Sequence, residues 1–172
     1  ANYASVPPGI GPALQANFPE IESYARLGFT SRVTMQYGEK MFRSTGFLEA
    51  DSSIFDVLSF TFLHGDRNAL SQPGSVVLTE TIAKQIFGYE DPINKTISSP
   101  DHSNRMLTVT GVIKDFPSNS HMVVNAIHSA QALMDANWNS WEITWDESVL
   151  LFVKLKPQAD VGSIEQRALP LL

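Results

Sequence analysis

The sequence predicts an α+β fold in which strands outnumber helices. Apolar and polar residues alternate at a period of two in several runs, most clearly in residues 106–113 and 149–156. Shorter segments between these runs repeat apolar residues at helical spacing, and neither an internal repeat nor a Gly/Ser-rich linker divides the chain. We therefore expect the 172 residues to form one domain, or two small lobes with a shared core, from mixed and antiparallel strands with a few short helices.

Composition excludes several classes of function. Hydrophobic residues make up 43% of the chain, which suits a folded domain. The formal charge of −6, from 12 basic and 18 acidic residues, argues against a nucleic-acid partner, because such a surface requires clustered cations. The absence of cysteine excludes disulfides, thiolate metal sites and a cysteine nucleophile. No run approaches the ~20 apolar residues of a membrane helix, and since no signal peptide is present we expect a piece of a longer protein.

The first fifty residues predict a helix followed by an antiparallel meander. Residues 8–18 carry apolar side chains at a spacing of four and are stopped by Pro19. Residues 21–37 alternate as strands, and Gly38-Glu39 fits a two-residue hairpin turn with glycine first. Residues 41–50 are the expected return strand.

The middle of the chain predicts two helices between strands. Ser52 or Ser53 is the expected cap of a short helix that ends at Leu58. Residues 73–97 are typical of a strand, a helix, a turn and a second strand, with Thr79 as the expected helix cap and Gly88 as its left-handed stop. The apolar face of this second helix comprises Ile82, Ala83, Ile86 and Phe87.

The last third predicts strands at residues 122–128 and 149–156 and a short helix at residues 130–134. Asp160 is the expected cap of a final helix. The apolar side of that helix comprises Val161, Ile164, Ala168 and Leu169.

Templates for chemistry fail along the whole sequence. The four histidines, His64, His102, His121 and His128, have no acid or second histidine at a metal-ligand spacing. No G-x-S-x-G elbow, phosphate-binding loop or dinucleotide motif occurs, and the acidic pairs are sequence neighbours typical of solvated turns. We therefore expect no catalytic residue, no metal site and no cofactor.

Three tryptophans are the exception to this uninformative pattern. Trp138, Trp141 and Trp145 lie within eight residues of one another, and large amphipathic rings at this density can line a ligand cleft or contact a partner. They can equally be core and rim residues, because the body of a tryptophan is often largely buried. We name them as the candidate partner or ligand surface.

A series of short motifs runs in order along nearly the whole chain. They are NFPEIE at 17–22, FDVLSF at 55–60, FLHGD at 62–66, Ala69-Leu70, SVVLTE at 75–80, Ala83-Lys84, Phe87-Gly88, EDPINK at 90–95, LTVTGV at 107–112 and DFPSNSH at 115–121. Each motif is weak alone, but their order resembles the MacB-type periplasmic core domain of ABC-transporter permeases in the FtsX-like superfamily. One departure is Asn94, where the family commonly has glycine; asparagine also tolerates a left-handed turn.

The resemblance implies a non-catalytic extracytoplasmic domain between the first two membrane helices of a permease, at the periplasmic face of the bacterial inner membrane. Its implied partners are the permease's own membrane helices, a second permease copy, a separate cytoplasmic ATPase and, in some members, a periplasmic adaptor protein. The domain then couples ATP hydrolysis mechanically to the handling of a partner or substrate. The family's two lobes map onto residues 1–50 with 122–172, as the lobe similar to the porter modules of efflux pumps, and residues 51–121, as a β-rich second lobe.

The sequence also leaves open an alternative function of a different class. The chain could be a periplasmic ligand-binding or sensory domain that captures a peptide, a lipoprotein or a drug against the tryptophan stretch. A thermal-shift screen separates the two functions, because a specific ligand raises the unfolding midpoint by mass action.

Overall fold

The computed structural model describes residues 5–30, 32–100, 105–120, 122–130 and 149–169. Within these ranges it contains ten strands and four short helices, so the α+β prediction is confirmed. The helices are α1 (Ile10–Asn17), α2 (Ile54–Val57), α3 (Glu80–Phe87) and α4 (Val161–Ala168). The strands are β1 (Ile21–Thr30), β2 (Val33–Tyr37), β3 (Lys40–Ser44), β4 (Phe47–Ala50), β5 (Phe62–His64), β6 (Ser75–Thr79), β7 (Thr96–Ser99), β8 (Arg105–Ile113), β9 (Ala126–Ser129) and β10 (Leu150–Leu155).

The strands form one mixed sheet whose order departs far from the order of the chain. Nine of them follow one another as β10-β1-β4-β9-β6-β8-β7-β2-β3, and β5 pairs with β8 beside this path. The β4–β9 and β6–β8 pairs are parallel and the others are antiparallel. The long strand β1 uses both of its edges, since Leu27 lies opposite Leu150 of β10 on one side and Ala50 of β4 on the other.

Apolar clusters cover both faces of the sheet. Successive residues of a strand point to opposite faces, and in β6 Val76 and Leu78 join one cluster while Val77 joins the other. The first, the α3 core, includes Val33, Met35, Leu78, Ile82, Ile86, Ile97, Leu107 and Val109. The second, the α2 core, includes Leu27, Leu48, Ile54, Leu70, Val77, Ile113 and Ile127. The third, the terminal core, joins α1 to α4 through Ile10, Leu14, Phe18, Ile21, Ile164 and Ala168.

The helix α3 has the buried face that its spacing predicts. Ile82, Ala83, Ile86 and Phe87 are all buried in the α3 core. Gly88 ends the helix at a φ of +66°, a conformation that glycine adopts without a steric penalty. Asn94 has a φ of +64°, so the left-handed turn expected where the family carries glycine is confirmed.

Of the side-chain caps predicted for the other helices, the one on α4 is confirmed and the one on α2 is not. The Asp160 side chain accepts a hydrogen bond from the Ser163 N–H at 3.3 Å, which confirms the cap of α4. Ser53 occupies the cap position of α2, but its side chain makes no capping hydrogen bond, because its hydroxyl donates instead to the Tyr24 carbonyl at 2.6 Å. On α4 only Ile164 and Ala168 are buried, so the predicted apolar side was too wide: Val161 and Leu169 are exposed.

The predicted N-terminal meander is wrong beyond its hairpin. Gly38 turns β2 into β3 at a φ of +57°, as predicted. The return strand is interrupted at Gly46, whose φ is +69° and whose Cα lies so near the Val123 carbonyl that a Cβ would sit 2.5 Å from that oxygen. The following strand β4 therefore leaves the hairpin and pairs with β1 and β9. The strand predicted for residues 122–128 is similarly shorter, beginning at Ala126.

Candidate functional site

An ion pair between Arg26 of β1 and Asp51 lies inside the protein. The two side chains are only 3% and 8% exposed. Arg26 Nε donates to Asp51 Oδ2 at 2.9 Å and Nη2 donates to Oδ1 at 3.1 Å, so the contact is bidentate. The Arg26 backbone N–H adds a bond to Oδ2 at 2.8 Å, and Nη1 reaches the Pro8 carbonyl at 3.3 Å. One guanidinium thus ties β1 to the segment before α1 and to the chain that enters α2.

This ion pair lines a cavity of about 270 Å³. The other lining residues are Gln15, Ser23, Tyr24, Ser52 and Ser53. Burial raises the pKa of the Tyr24 hydroxyl. Because the guanidinium and the carboxylate bond to each other, the Asp51 oxygens are committed to holding the fold and are poorly placed to serve as a general base.

A second buried polar cluster joins β4, β8 and β9. Glu49 lies opposite His128 in the parallel β4–β9 pair, which places both side chains on one face of the sheet. Glu49 Oε1 is 3.6 Å from Arg105 Nη1 and 3.7 Å from His128 Nδ1. The Phe47 ring stacks on His128 with 4.9 Å between ring centroids. Burial raises the pKa of Glu49, and the nearby positive charge of Arg105 opposes that rise.

The remaining histidine within the described residues lies apart from this cluster. His64 ends the short strand β5 and lines a cavity of about 130 Å³ together with Lys84 and Glu90. Within the described ranges no three His, Asp or Glu side chains lie close enough to hold a metal ion. His102 and His121 lie outside the residues that the structure describes. The structure therefore brings His128 to an acidic residue and leaves His64 at the surface.

The amino end of α3 is capped from a distant part of the chain. Thr79 occupies the cap position as predicted, but its hydroxyl does not accept from the first turn and instead donates to the Asn125 carbonyl at 3.2 Å. Asp115 takes this role instead, accepting from the Thr81 N–H at 3.1 Å and from the Thr81 hydroxyl at 2.7 Å. A carboxylate at a helix amino end satisfies free N–H groups and complements the helix dipole. The contact ties the segment that follows β8 to the start of α3.

The candidate partner surface, Trp138, Trp141 and Trp145, lies outside the described residues. The structure instead reveals the two buried polar clusters, which sequence reasoning missed. Arg26 alternates with apolar residues as a solvent-facing strand residue does, and Asp51 resembles an ordinary turn residue. Arg26 and Asp51 differ from ordinary surface residues only because the pairing of β1 with β4 brings them together. That pairing depends on long-range topology.

Several further ion pairs lie at the surface of the described chain. Lys84 and Glu80 pair along α3, and Lys154 of β10 pairs with Glu22 of β1 across the strands, both at 2.6 Å. Surface pairs of this kind contribute little stability individually. Among the described residues no helix has the length and apolar character needed to cross a membrane.

One family model matches nearly the whole chain. The model of the MacB-like periplasmic core domain matches residues 2–171. No curated protein sequence matches the chain.

Three solved structures share the fold. A domain of a protein assigned as a permease from Porphyromonas gingivalis has a TM-score of 0.83 at 23% identity, covering 98% of this chain and 77% of its own. The periplasmic region of MacB from Actinobacillus actinomycetemcomitans has a TM-score of 0.69 at 21% identity, covering 94% and 70%. The extracellular domain of YknZ, a noncanonic ABC-type transporter from Gram-positive bacteria, has a TM-score of 0.70 at 16% identity, covering 99% and 84%.

Proposed function

Because the chain belongs to the family of MacB-like periplasmic core domains of ABC-transporter permeases, we propose that it transmits the ATPase cycle mechanically and performs no chemistry of its own. ATP hydrolysis then belongs to a separate cytoplasmic domain or subunit. The proposal places the domain at the periplasmic face of a bacterial inner membrane, between the first two membrane helices of its permease. A second permease copy and, in some systems, a periplasmic adaptor protein are its proposed partners.

The observation that carries this proposal is the pairing of the first and last described segments. β1 and β10 run antiparallel from the Ile21–Leu155 pair to the Leu27–Leu150 pair. Val6 and Val149 form a further bridge beyond them, and α1 and α4 share the terminal core. A displacement applied to either segment therefore moves both, as expected of a unit that receives motion from two flanking membrane helices.

The sheet offers a continuous path from this unit into the rest of the domain. β1 pairs with β4, β4 with β9, and β9 with β6, so each strand of the path is hydrogen-bonded to the next. The buried Arg26–Asp51 ion pair adds a tie between β1 and the start of α2. Densely packed interiors deform little and transmit strain, so motion of β1 is expected to reach α3.

The two-lobe division stays part of the proposal. In the sheet, β10, β1, β4 and β9 come from residues 1–50 and 122–172, while β6, β8 and β7 come from residues 51–121. The hairpin β2–β3 also comes from the first segment but lies beyond β7. We propose that β10, β1, β4 and β9 belong to the lobe that receives the motion.

The test uses the full-length permease with its ATPase, reconstituted in lipid nanodiscs. A spin label at Tyr89→Cys, a fully exposed position just after α3, reports on the distance between two permease copies. Because this domain has no native cysteine, one label per domain is obtained once any cysteines elsewhere in the permease have been replaced. We expect the distance distribution to differ between the nucleotide-free and ATP-bound states, and a hydrolysis-deficient ATPase should hold the second distribution.

A second label at Val161→Cys, exposed on α4, serves as the matched position in the terminal unit. Transmission predicts changes at both labels. A change at Val161 alone, or identical distributions in every nucleotide state during active turnover, contradicts the proposal. A sensory domain behaves differently, because its distances respond to an added ligand without ATP.

Trp138, Trp141 and Trp145 remain the residues that we propose for contact with a partner or ligand. Replacing all three with alanine in the full-length permease should weaken co-purification of its periplasmic partner without changing the ATPase rate of the permease alone. Unchanged co-purification would remove these residues from the proposed interface.

A further inference from the structure

A cavity of about 460 Å³ lies at the open end of the β2–β3 hairpin. It is lined by Arg32, Val33, Thr34, Arg43, Ser44 and Thr45. Thr34 lies directly opposite Arg43 in the hairpin, which places their side chains on the same face of the sheet. Both arginines are exposed, and no acidic residue appears among the described lining residues.

In the contacts made among the described residues, the two arginines of this cavity differ from the other four arginines. The remaining four each have a carboxylate within 4.0 Å: Arg26 with Asp51, Arg67 with Asp56, Arg105 with Glu49 and Arg167 with Glu20. Arg32 and Arg43 have no such contact within the described part of the chain, although acidic residues outnumber basic ones by 18 to 12. A planar guanidinium binds a carboxylate in a bidentate manner, so two arginines that line one cavity suit an acidic group.

Among the described strands, the strand beside this cavity also has a backbone edge without a partner. β3 is the last strand of the sheet order, and β2 is its only neighbour among the described strands. An unpaired edge can add an extended segment of another chain, with main-chain hydrogen bonds supplying affinity and alternate side chains supplying specificity.

The side chains of β3 define what such a segment should carry. Met41 lies opposite Gln36 and Arg43 lies opposite Thr34, so Met41 and Arg43 are two residues apart on one face. Met41 is 62% exposed although it is apolar. An added strand then places an apolar residue beside Met41 and, two positions away, an acidic residue beside Arg43.

We propose that the edge of β3 and the adjoining arginine cavity bind an extended acidic segment of a partner protein, with an apolar residue and a carboxylate two positions apart. The backbone of β3 pairs with the segment, and Arg32 and Arg43 receive its carboxylate. This inference concerns binding by the domain itself and does not depend on mechanical transmission.

The test measures fluorescence anisotropy of a labelled eight-residue peptide that repeats threonine, valine, threonine and glutamate, with this 172-residue chain at low salt. We expect saturable binding that weakens about tenfold when glutamine replaces glutamate, because the acceptor loses the negative charge that strengthens its hydrogen bonds to the guanidinium groups. The Arg32→Gln/Arg43→Gln variant should show at least the same loss. Arg67→Gln, which removes one positive charge from an exposed arginine elsewhere, should bind like the parent.

Two further arms separate strand addition from simple anion binding. A peptide N-methylated at alternate residues keeps its charge but cannot complete the main-chain ladder, so it should bind at least about tenfold more weakly. A peptide with lysine in place of glutamate should bind the parent weakly, and the charge reversal Arg43→Glu should strengthen its binding. Unchanged binding by the double arginine variant, retained binding of the N-methylated peptide, or equally tight binding of free citrate would each overturn the proposal.

Discussion

Replacing Ile86 with asparagine tests the packing of α3 against the sheet. Ile86 is 1% exposed and lies in the α3 core. Losing its apolar burial costs about 1.5–3 kcal/mol, and burying an amide without partners costs about 1–3 kcal/mol. We therefore expect Ile86→Asn to lower the free energy of unfolding by about 3–5 kcal/mol, which is a large part of the ~5–15 kcal/mol typical of a domain.

Urea unfolding followed by circular dichroism measures this loss directly, and a thermal scan provides a second readout. For a chain of this length each kcal/mol shifts the midpoint by about 2–4 °C, so a fall of roughly 6–20 °C is expected. Ile86→Val keeps the site apolar and should cost only about 0.5–1.5 kcal/mol.

The matched control is Gln85→Asn, on the neighbouring and exposed position of the same helix. It introduces asparagine into α3 at a helix-propensity cost of only a few tenths of a kcal/mol. If Ile86→Asn destabilised the protein no more than Gln85→Asn does, the assignment of Ile86 to a packed core would be refuted.

Three further predictions concern the polar contacts. Asp51→Ala leaves the buried Arg26 charge without its partner and should cost about 3–5 kcal/mol in urea unfolding; adding Arg26→Met should recover part of the loss, and strict additivity would contradict a coupled pair. Asp115→Ala removes the cap on Thr81 and should cost about 1 kcal/mol, whereas an unchanged midpoint would show that solvent caps α3 equally well. Because burial raises the pKa of Glu49, folding takes up protons and the contribution of this group to stability falls as the pH rises above the ordinary glutamate pKa of 4.5; relative to the parent, Glu49→Gln should therefore gain stability as the pH rises, and a difference independent of pH would contradict the raised pKa.

Sequence reasoning succeeded where structure is set by neighbouring residues. The buried face of α3 follows from helical spacing alone, and the Gly38 turn follows from the φ that a two-residue hairpin demands. The cap of α4 also succeeded, because Asp160 and Ser163 are three residues apart. In each case the deciding interaction lies within a few residues along the chain.

Errors arose where a distant segment competes for the same group. Thr79 was the local choice for the cap of α3, but the sheet places Asp115 there and gives the Thr79 hydroxyl another acceptor. The meander failed because the backbone at Gly46 diverts the chain toward β1 and β9. Arg26 and Asp51 each resemble surface residues, and only the register of β1 beside β4 brings them together. Patterns of period two cannot encode such register across half the chain.

The pairing of β1 with β10 has a consequence for the folding of the chain. Residues near the beginning of the chain pair with residues near its end, since Ile21 lies opposite Leu155. Closing so long a loop costs entropy before any contact compensates for it, and folds rich in distant contacts form slowly. During synthesis, the edge of β1 that pairs with β10 therefore stays unpaired until β10 has been made. A nascent chain that ends before β10 should expose this edge to chaperones and to aggregation, which makes completion of β10 the step that protects the domain.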